Sequence, residues 1–245
     1  MSESAVARFG LALTTLLFGA ISVIWHDSDL WKHAHQIGGP LAAVLAWACA
    51  ALLCVGGLIL LVGRNALGSV VLGIGGTLLT LSCIADIAPG PFSFPNYIDF
   101  FELAAIVCGA AAVYAPYDAN AARATMLRRA SLVGFGICNI SYAAAQVVFF
   151  KYTASLIPSW IPGASFWTAL TTLAFALAAV AMLIDRLAAL ALRLLATMVA
   201  LFALLVWVPQ LLAAPTLPNW SEFMLTWVIA AAAWTLAAAR PAPAA

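Results

Sequence analysis

Three histidines, His26, His33 and His35, fall within ten positions of one another, with Asp27, Asp29 and Lys32 among them. Imidazoles beside carboxylates are the ligand types of a zinc or copper site. His33 and His35 stand only two apart and no thiolate joins them, so the stretch also reads as an ordinary polar interfacial loop. A second group is acidic. Asp86 and Glu102 fall near the ends of apolar runs, and Glu102 follows Asp99 by three residues, which puts both on one helix face. An ionisable side chain in a membrane segment is costly and usually faces a bundle interior or a wet cavity. A third group is amide. Asn139 and Gln146 are seven apart with Tyr142 between them, a single helical stripe. Amides buried in lipid need partners, so these either bond a neighbouring helix or line a ligand pocket. Asp86, Glu102, Asn139 and Gln146 are therefore the candidate ligand-binding residues. His26, His33 and His35 are the candidate metal ligands. No catalytic residue stands out. The sequence has no glycine-rich phosphate loop, serine triad, haem-attachment motif or arginine row. Cys49, Cys54, Cys83, Cys108 and Cys138 all lie in apolar runs without a CxxC pair, and read as buried, unpaired thiols.

What must position these groups is a membrane bundle. Hydrophobic residues make up 66% of the chain, charged residues 8%, and mean hydropathy is +1.09. A soluble domain carries roughly 25% charged residues. This surface cannot be solvated by water alone, so the expected class is all-α and integral to a lipid bilayer. A net charge of +1 gives no footprint for nucleic acid.

Apolar runs predict eight transmembrane helices, at about residues 9–25, 41–62, 66–87, 97–114, 130–150, 165–184, 187–208 and 220–239. Each approaches the ~20 residues that cross a bilayer. Pro89, Pro116 and Pro209 read as helix stops. Residues 26–40 read as a loop.

The pattern occurs twice. Pro95-Asn96-Tyr97-Ile98-Asp99-Phe100 returns 123 residues later as Pro218-Asn219-Trp220-Ser221-Glu222-Phe223, each followed by an apolar run. Asn96 and Asn219 are expected to N-cap those helices, with Asp99 and Glu222 at capping-box spacing. The chain then divides into a four-helix repeat over 1–116, a basic linker over 117–129, and a second repeat over 130–245. Repeats with an even number of helices are parallel.

Lys and Arg sort strongly. Eight arginines (Arg8, Arg64, Arg123, Arg128, Arg129, Arg186, Arg193 and Arg240) fall on one side of such a topology, and only Lys32 and Lys151 on the other. By the positive-inside rule both termini are cytoplasmic. Ser69, Gly73 and Thr77 form a small-residue stripe suited to close helix packing.

The order of parts resembles the DoxX-like family of bacterial membrane proteins, here as a tandem duplicate of the four-helix unit. The resemblance is carried by Phe18-Gly19, by Leu53-Cys54-Val55-Gly56-Gly57 running on to Val62-Gly63-Arg64, and by Asp99-Phe100-Phe101-Glu102-Leu103. It covers residues 8–116 clearly and 130–240 weakly. It implies a bacterial inner membrane and a membrane or quinone-facing subunit of an oxidoreductase system, with partner subunits and a quinone as the associated small molecule. Where family members often carry a helix 2 glutamate, this chain has Leu53. The alternatives are a small-molecule or lipid carrier with a site between the repeats, and a structural accessory subunit of a larger complex. For the quinone function, the polar residues peculiar to the first half are expected to form an outward-opening pocket. Glu102 and Asp86 would stand in its wall, with the histidine stretch as its lid.

Overall fold

A computed structural model describes the backbone of residues 2–25 and 29–240, and all their side chains except those of 29–31. Among these residues there is no strand. Eight helical segments are long and apolar enough to cross a membrane. They are α1 (Glu3–Ile24), α3 (Gly39–Leu61), α4 with the short α5 (Asn65–Ser82 and Ile84–Ile87), and α6 (Ile98–Tyr114). In the second half they are α7 (Ala121–Val148), α9 (Ala164–Leu183), α10 with α11 (Ala188–Phe202 and Val208–Ala213), and α12 (Leu217–Ala238). Two further short helices, α2 (Asp29–Ile37) and α8 (Phe150–Leu156), each follow the first span of their half.

Consecutive spans pack side by side, α12 returns to α1, and α6 and α12 also pack on each other. The last contact puts α6 and α12 at the centre. A methyl group on Gly109 of α6 would lie 3.2 Å from the Ala232 methyl of α12 and 3.3 Å from the Leu11 side chain. Without a hydrophobic drive between helices in lipid, such close backbone approach supplies the dispersion that holds a bundle together.

The same device joins α1, α3 and α4. A Cβ on Gly57 would sit 2.6 Å from the Ala12 carbonyl oxygen, and one on Gly19 would sit 2.9 Å from that of Ala50. Gly56 meets the Leu72 backbone on the other side. The motif glycines are thus the points where α3 touches both neighbours. The Ser69–Gly73–Thr77 stripe does not do this. It lines an open furrow of about 360 Å³ between α4 and α6, and the hydroxyls of Ser69 and Thr77 bond carbonyls of their own helix.

Four local expectations are corrected. Residues 29–37 are helical, not loop. Leu30, His33, Ala34 and Ile37 recur at helical spacing, and Ala34 packs with Ala42 and Ala46 of α3. Gly38 and Gly39, at φ 72° and 68°, then reverse the chain in a conformation that side chains with a Cβ avoid.

From Ala121 onward the linker is the first turns of α7. Asn120 caps it by accepting from the Arg123 N–H at 3.1 Å. Arg123 also chelates Asp118 at 2.5 and 2.9 Å, and this hydrogen bonding holds the Asp118 carboxyl below the usual carboxylate range.

Pro209 does not stop its span. A π-helical segment over residues 203–207 precedes it, and the helix continues to Ala213. Widening the turn there accommodates the missing proline N–H and its ring.

Asn96 and Asn219 are not N-caps. α6 and α12 begin after Tyr97 and Thr216 without a side-chain cap. Each asparagine instead ties down the loop before it. Asn96 Nδ2 donates to the Gly90 carbonyl at 3.0 Å, and Asn219 Nδ2 donates to that of Ala214 at 2.8 Å. The turn before each helix folds back so that its carbonyl meets the asparagine Nδ2 donor. Asp99 and Glu222 accordingly sit inside their helices, not in capping boxes.

The charges sort by end. Glu3 pairs with Arg193, Asp118 with Arg123, and Asp185 with Arg129 and Arg240 at one end. Lys32, His33, Asp86 and Asp99 gather at the other.

The packing makes a stability prediction. Gly57→Ala should destabilise the bundle by about 1–3 kcal/mol, the range for overpacking. Gly73→Ala, whose new methyl would stand 3.7 Å from that of Ala110, should leave the thermal midpoint in detergent unchanged.

Candidate functional site

The site is built by α2 lying across the ends of α3, α4 and α5. α2 is polar enough to form only where tertiary partners accept its charges. Lys32 and His33 are adjacent and point to different parts of one acidic patch. Lys32 Nζ donates to Asp99 Oδ2 at 2.8 Å. His33 Nδ1 lies 2.5 Å from Asp86 Oδ2. His33 Nε2 lies 3.5 Å from Asp99 Oδ2, within ion-pair reach but outside hydrogen-bond geometry. Three elements far apart in sequence, α2, α5 and α6, thus meet at one imidazole.

Burial separates the two basic residues. The Lys32 side chain is 55% exposed, so its pair with Asp99 is a screened surface contact. The His33 side chain is 1% exposed. It is a buried imidazole with one nitrogen committed to a carboxylate and the other without a hydrogen bond. A carboxylate on Nδ1 fixes the ring's orientation and its tautomer. In the neutral ring Nδ1 then carries the proton and Nε2 is an acceptor. In the protonated ring Nε2 is a donor. The arrangement can therefore hold, accept or release one proton at Nε2.

The predicted residues separate into three places. Asp86 belongs to the cluster with His33. Glu102, half-buried on α6, lies within electrostatic range of Tyr142 on α7. Tyr142 is buried, donates to the Phe101 carbonyl at 3.2 Å and meets Phe175 edge-on. Gln146 holds α7 to α9: its Oε1 accepts from Thr171 at 3.1 Å and Thr172 at 2.8 Å. Asn139 is fully buried and donates back to the Phe135 carbonyl of its own helix at 2.7 Å. The amides therefore serve α7 and its packing and do not join Asp86.

The three histidines do not converge either. His33 points inward. His35, two positions on along a helix, is exposed and turned roughly 160° away. His26 lies outside the described residues. Among the described residues no group of three His, Cys, Asp or Glu side chains is placed to hold a metal ion.

Sequence reasoning missed two members. Asp99 read as a cap and Lys32 as loop polarity. The available signal was their shared rarity: a lysine and an aspartate in a chain that is 8% charged require partners. It also missed that the free thiol of Cys108 on α6 packs against α7, where a Cβ on Gly134 would lie 3.1 Å from its sulfur.

No family model, curated protein or solved structure matches this chain.

Energetically the cluster is asymmetric. Asp86→Ala should lower stability by about 1–3 kcal/mol, the cost of stranding the buried His33 Nδ1. Lys32→Ala should cost about 0–1 kcal/mol, as for an exposed ion pair. Thermal or denaturant unfolding in one detergent compares them directly. Equal losses would contradict the assignment.

Proposed function

We propose that the chain is a quinone-facing membrane subunit of an oxidoreductase system, built as two DoxX-like four-helix repeats in a bacterial inner membrane. Both termini would then be cytoplasmic. The observation that carries the functional part is the buried His33, with Asp86 on Nδ1 and an unbonded Nε2. A quinone head group needs a hydrogen-bonding and proton-exchanging partner at the membrane edge, while its tail remains in lipid. Protonated His33 offers Nε2–H to a carbonyl oxygen. Neutral His33 accepts the proton of a quinol hydroxyl at the same atom. Asp86 orients the ring, and Asp99 lies on the side where the proton would leave. Electrons would pass to or from a redox group on a partner subunit.

In this reading two repeats divide the labour. Neighbour contacts of the second half reproduce those of the first: α1–α3, α3–α4 and α4–α6 correspond to α7–α9, α9–α10 and α10–α12. Short helices recur in step, α2 with α8 and α5 with α11. Against that shared frame, the residues at the 123-residue offset from His33 and Asp86 are Leu156 and Pro209. The proton-handling pair belongs to the first repeat alone.

A structural accessory role is the second reading, favoured by the open, apolar α4–α6 furrow that no helix among the described residues fills. Purification in mild detergent with extraction of lipid-soluble molecules separates the two. A quinone subunit should retain quinone near one per chain, and His33→Ala should reduce it at least fivefold with the fold intact. A Gln146→Ala control should retain it. Absence of quinone from all three, with a partner still bound, would favour the accessory role.

A further inference from the structure

The Arg-rich end holds a feature unrelated to the His33 cluster. A pocket of about 530 Å³ opens between the start of α7, the Asp185 turn and the end of α12. Its wall carries Arg128, Arg129 and Arg240 against the single carboxylate of Asp185, a net charge of two positive. Thr125 and Ser131 add hydroxyls, and Leu132 and Leu236 supply apolar walls.

Two of the guanidiniums are held in place by the fold. Arg129 donates to the Leu183 carbonyl at 2.6 Å and the Met182 carbonyl at 3.3 Å, at the end of α9 where the helix dipole favours a cation. It also lies 3.5 Å from Asp185. Arg240 pairs with Asp185. Asp185 itself sits at φ 57°, in a left-handed turn that presents its carboxylate to both. Arg128 bonds weakly, at 3.4 Å, to a carbonyl of its own helix, and lines the pocket. The result is a preorganised group of guanidiniums with more positive charge than the protein neutralises. It stands where spans end and lipid headgroups begin.

We propose that this pocket binds the phosphate of an anionic membrane lipid. Guanidinium forks match phosphate oxygens bidentately, and basic pockets between helices at this depth suit anionic headgroups. The excess of positive charge selects an anionic over a zwitterionic headgroup. The apolar walls face the glycerol and first methylenes, which a free phosphate lacks. This assignment is independent of the quinone site.

The test is a thermal-shift titration of the full chain in neutral detergent. Its arms are dioctanoyl phosphatidylglycerol, dioctanoyl phosphatidylcholine and inorganic phosphate at matched ionic strength. Phosphatidylglycerol should raise the midpoint saturably, and the other two should not. Arg128→Gln should weaken that response about tenfold, the loss of a charge-assisted hydrogen bond, and Arg128→Lys should weaken it less. Arg128 is exposed and its hydrogen bond stays within α7, so its variants should keep the unliganded midpoint. Equal shifts from both lipids, or an unchanged response in Arg128→Gln, would overturn the proposal. An equal saturable shift from inorganic phosphate would overturn the lipid assignment and leave a free-phosphate site. If Arg128→Gln lowers the unliganded midpoint, native mass spectrometry of lipid retained by wild type decides. Preferential retention of anionic lipid supports the site, and indifference to headgroup refutes it.

Discussion

A buried imidazole needs a partner for each nitrogen, and in this protein it has one. His33 reaches Asp86 from a helix that would have no reason to fold alone. α2 contains one lysine, one aspartate and two histidines in nine residues, so its stability comes from what it lies upon. Removing Asp86 would leave a polar ring enclosed by apolar helices. Keeping it anchors α2 across three other elements and brings Lys32 to Asp99. The arrangement of this end of the first half follows from that contact.

The frame beneath it obeys a different constraint. Lipid rewards no helix for burying leucine, so helices meet where small residues let backbones approach. Gly57 against Ala12, Gly19 against Ala50 and Gly109 against Ala232 serve this end. Together with Gly56 against Leu72 of α4, these contacts fix the helices that carry the two aspartates.

Much of the frame was legible in sequence. Eight apolar runs and their charge sorting are one-dimensional signals, and the spans lie where those runs fall. Three features were hidden for physical reasons. α2 is an amphipathic helix whose inward face includes a histidine, so its periodicity is masked by polarity. The continuation through Pro209 depends on a π-segment that no residue type announces. Asn96 and Asn219 occupy capping positions by spacing, yet the helices begin after Tyr97 and Thr216, and both amides donate to carbonyls of the turns folding back beside them. The candidate site was half legible. The rarity of Asp86 pointed to a task, but its partner lies 53 positions away, and no local pattern encodes that pairing. Glu102, Asn139 and Gln146 shared the same rarity and have other neighbours.

The most direct probe of the proposed site is the carbonyl stretch of a bound quinone. Protein in lipid nanodiscs would be loaded with quinone labelled with carbon-13 at one carbonyl and examined by infrared difference spectroscopy. A quinone hydrogen-bonded to His33 Nε2 predicts one carbonyl band moved to lower frequency than in free quinone. That band should return to the free position in His33→Phe. Identical carbonyl bands in wild type and His33→Phe would contradict a quinone site at this imidazole.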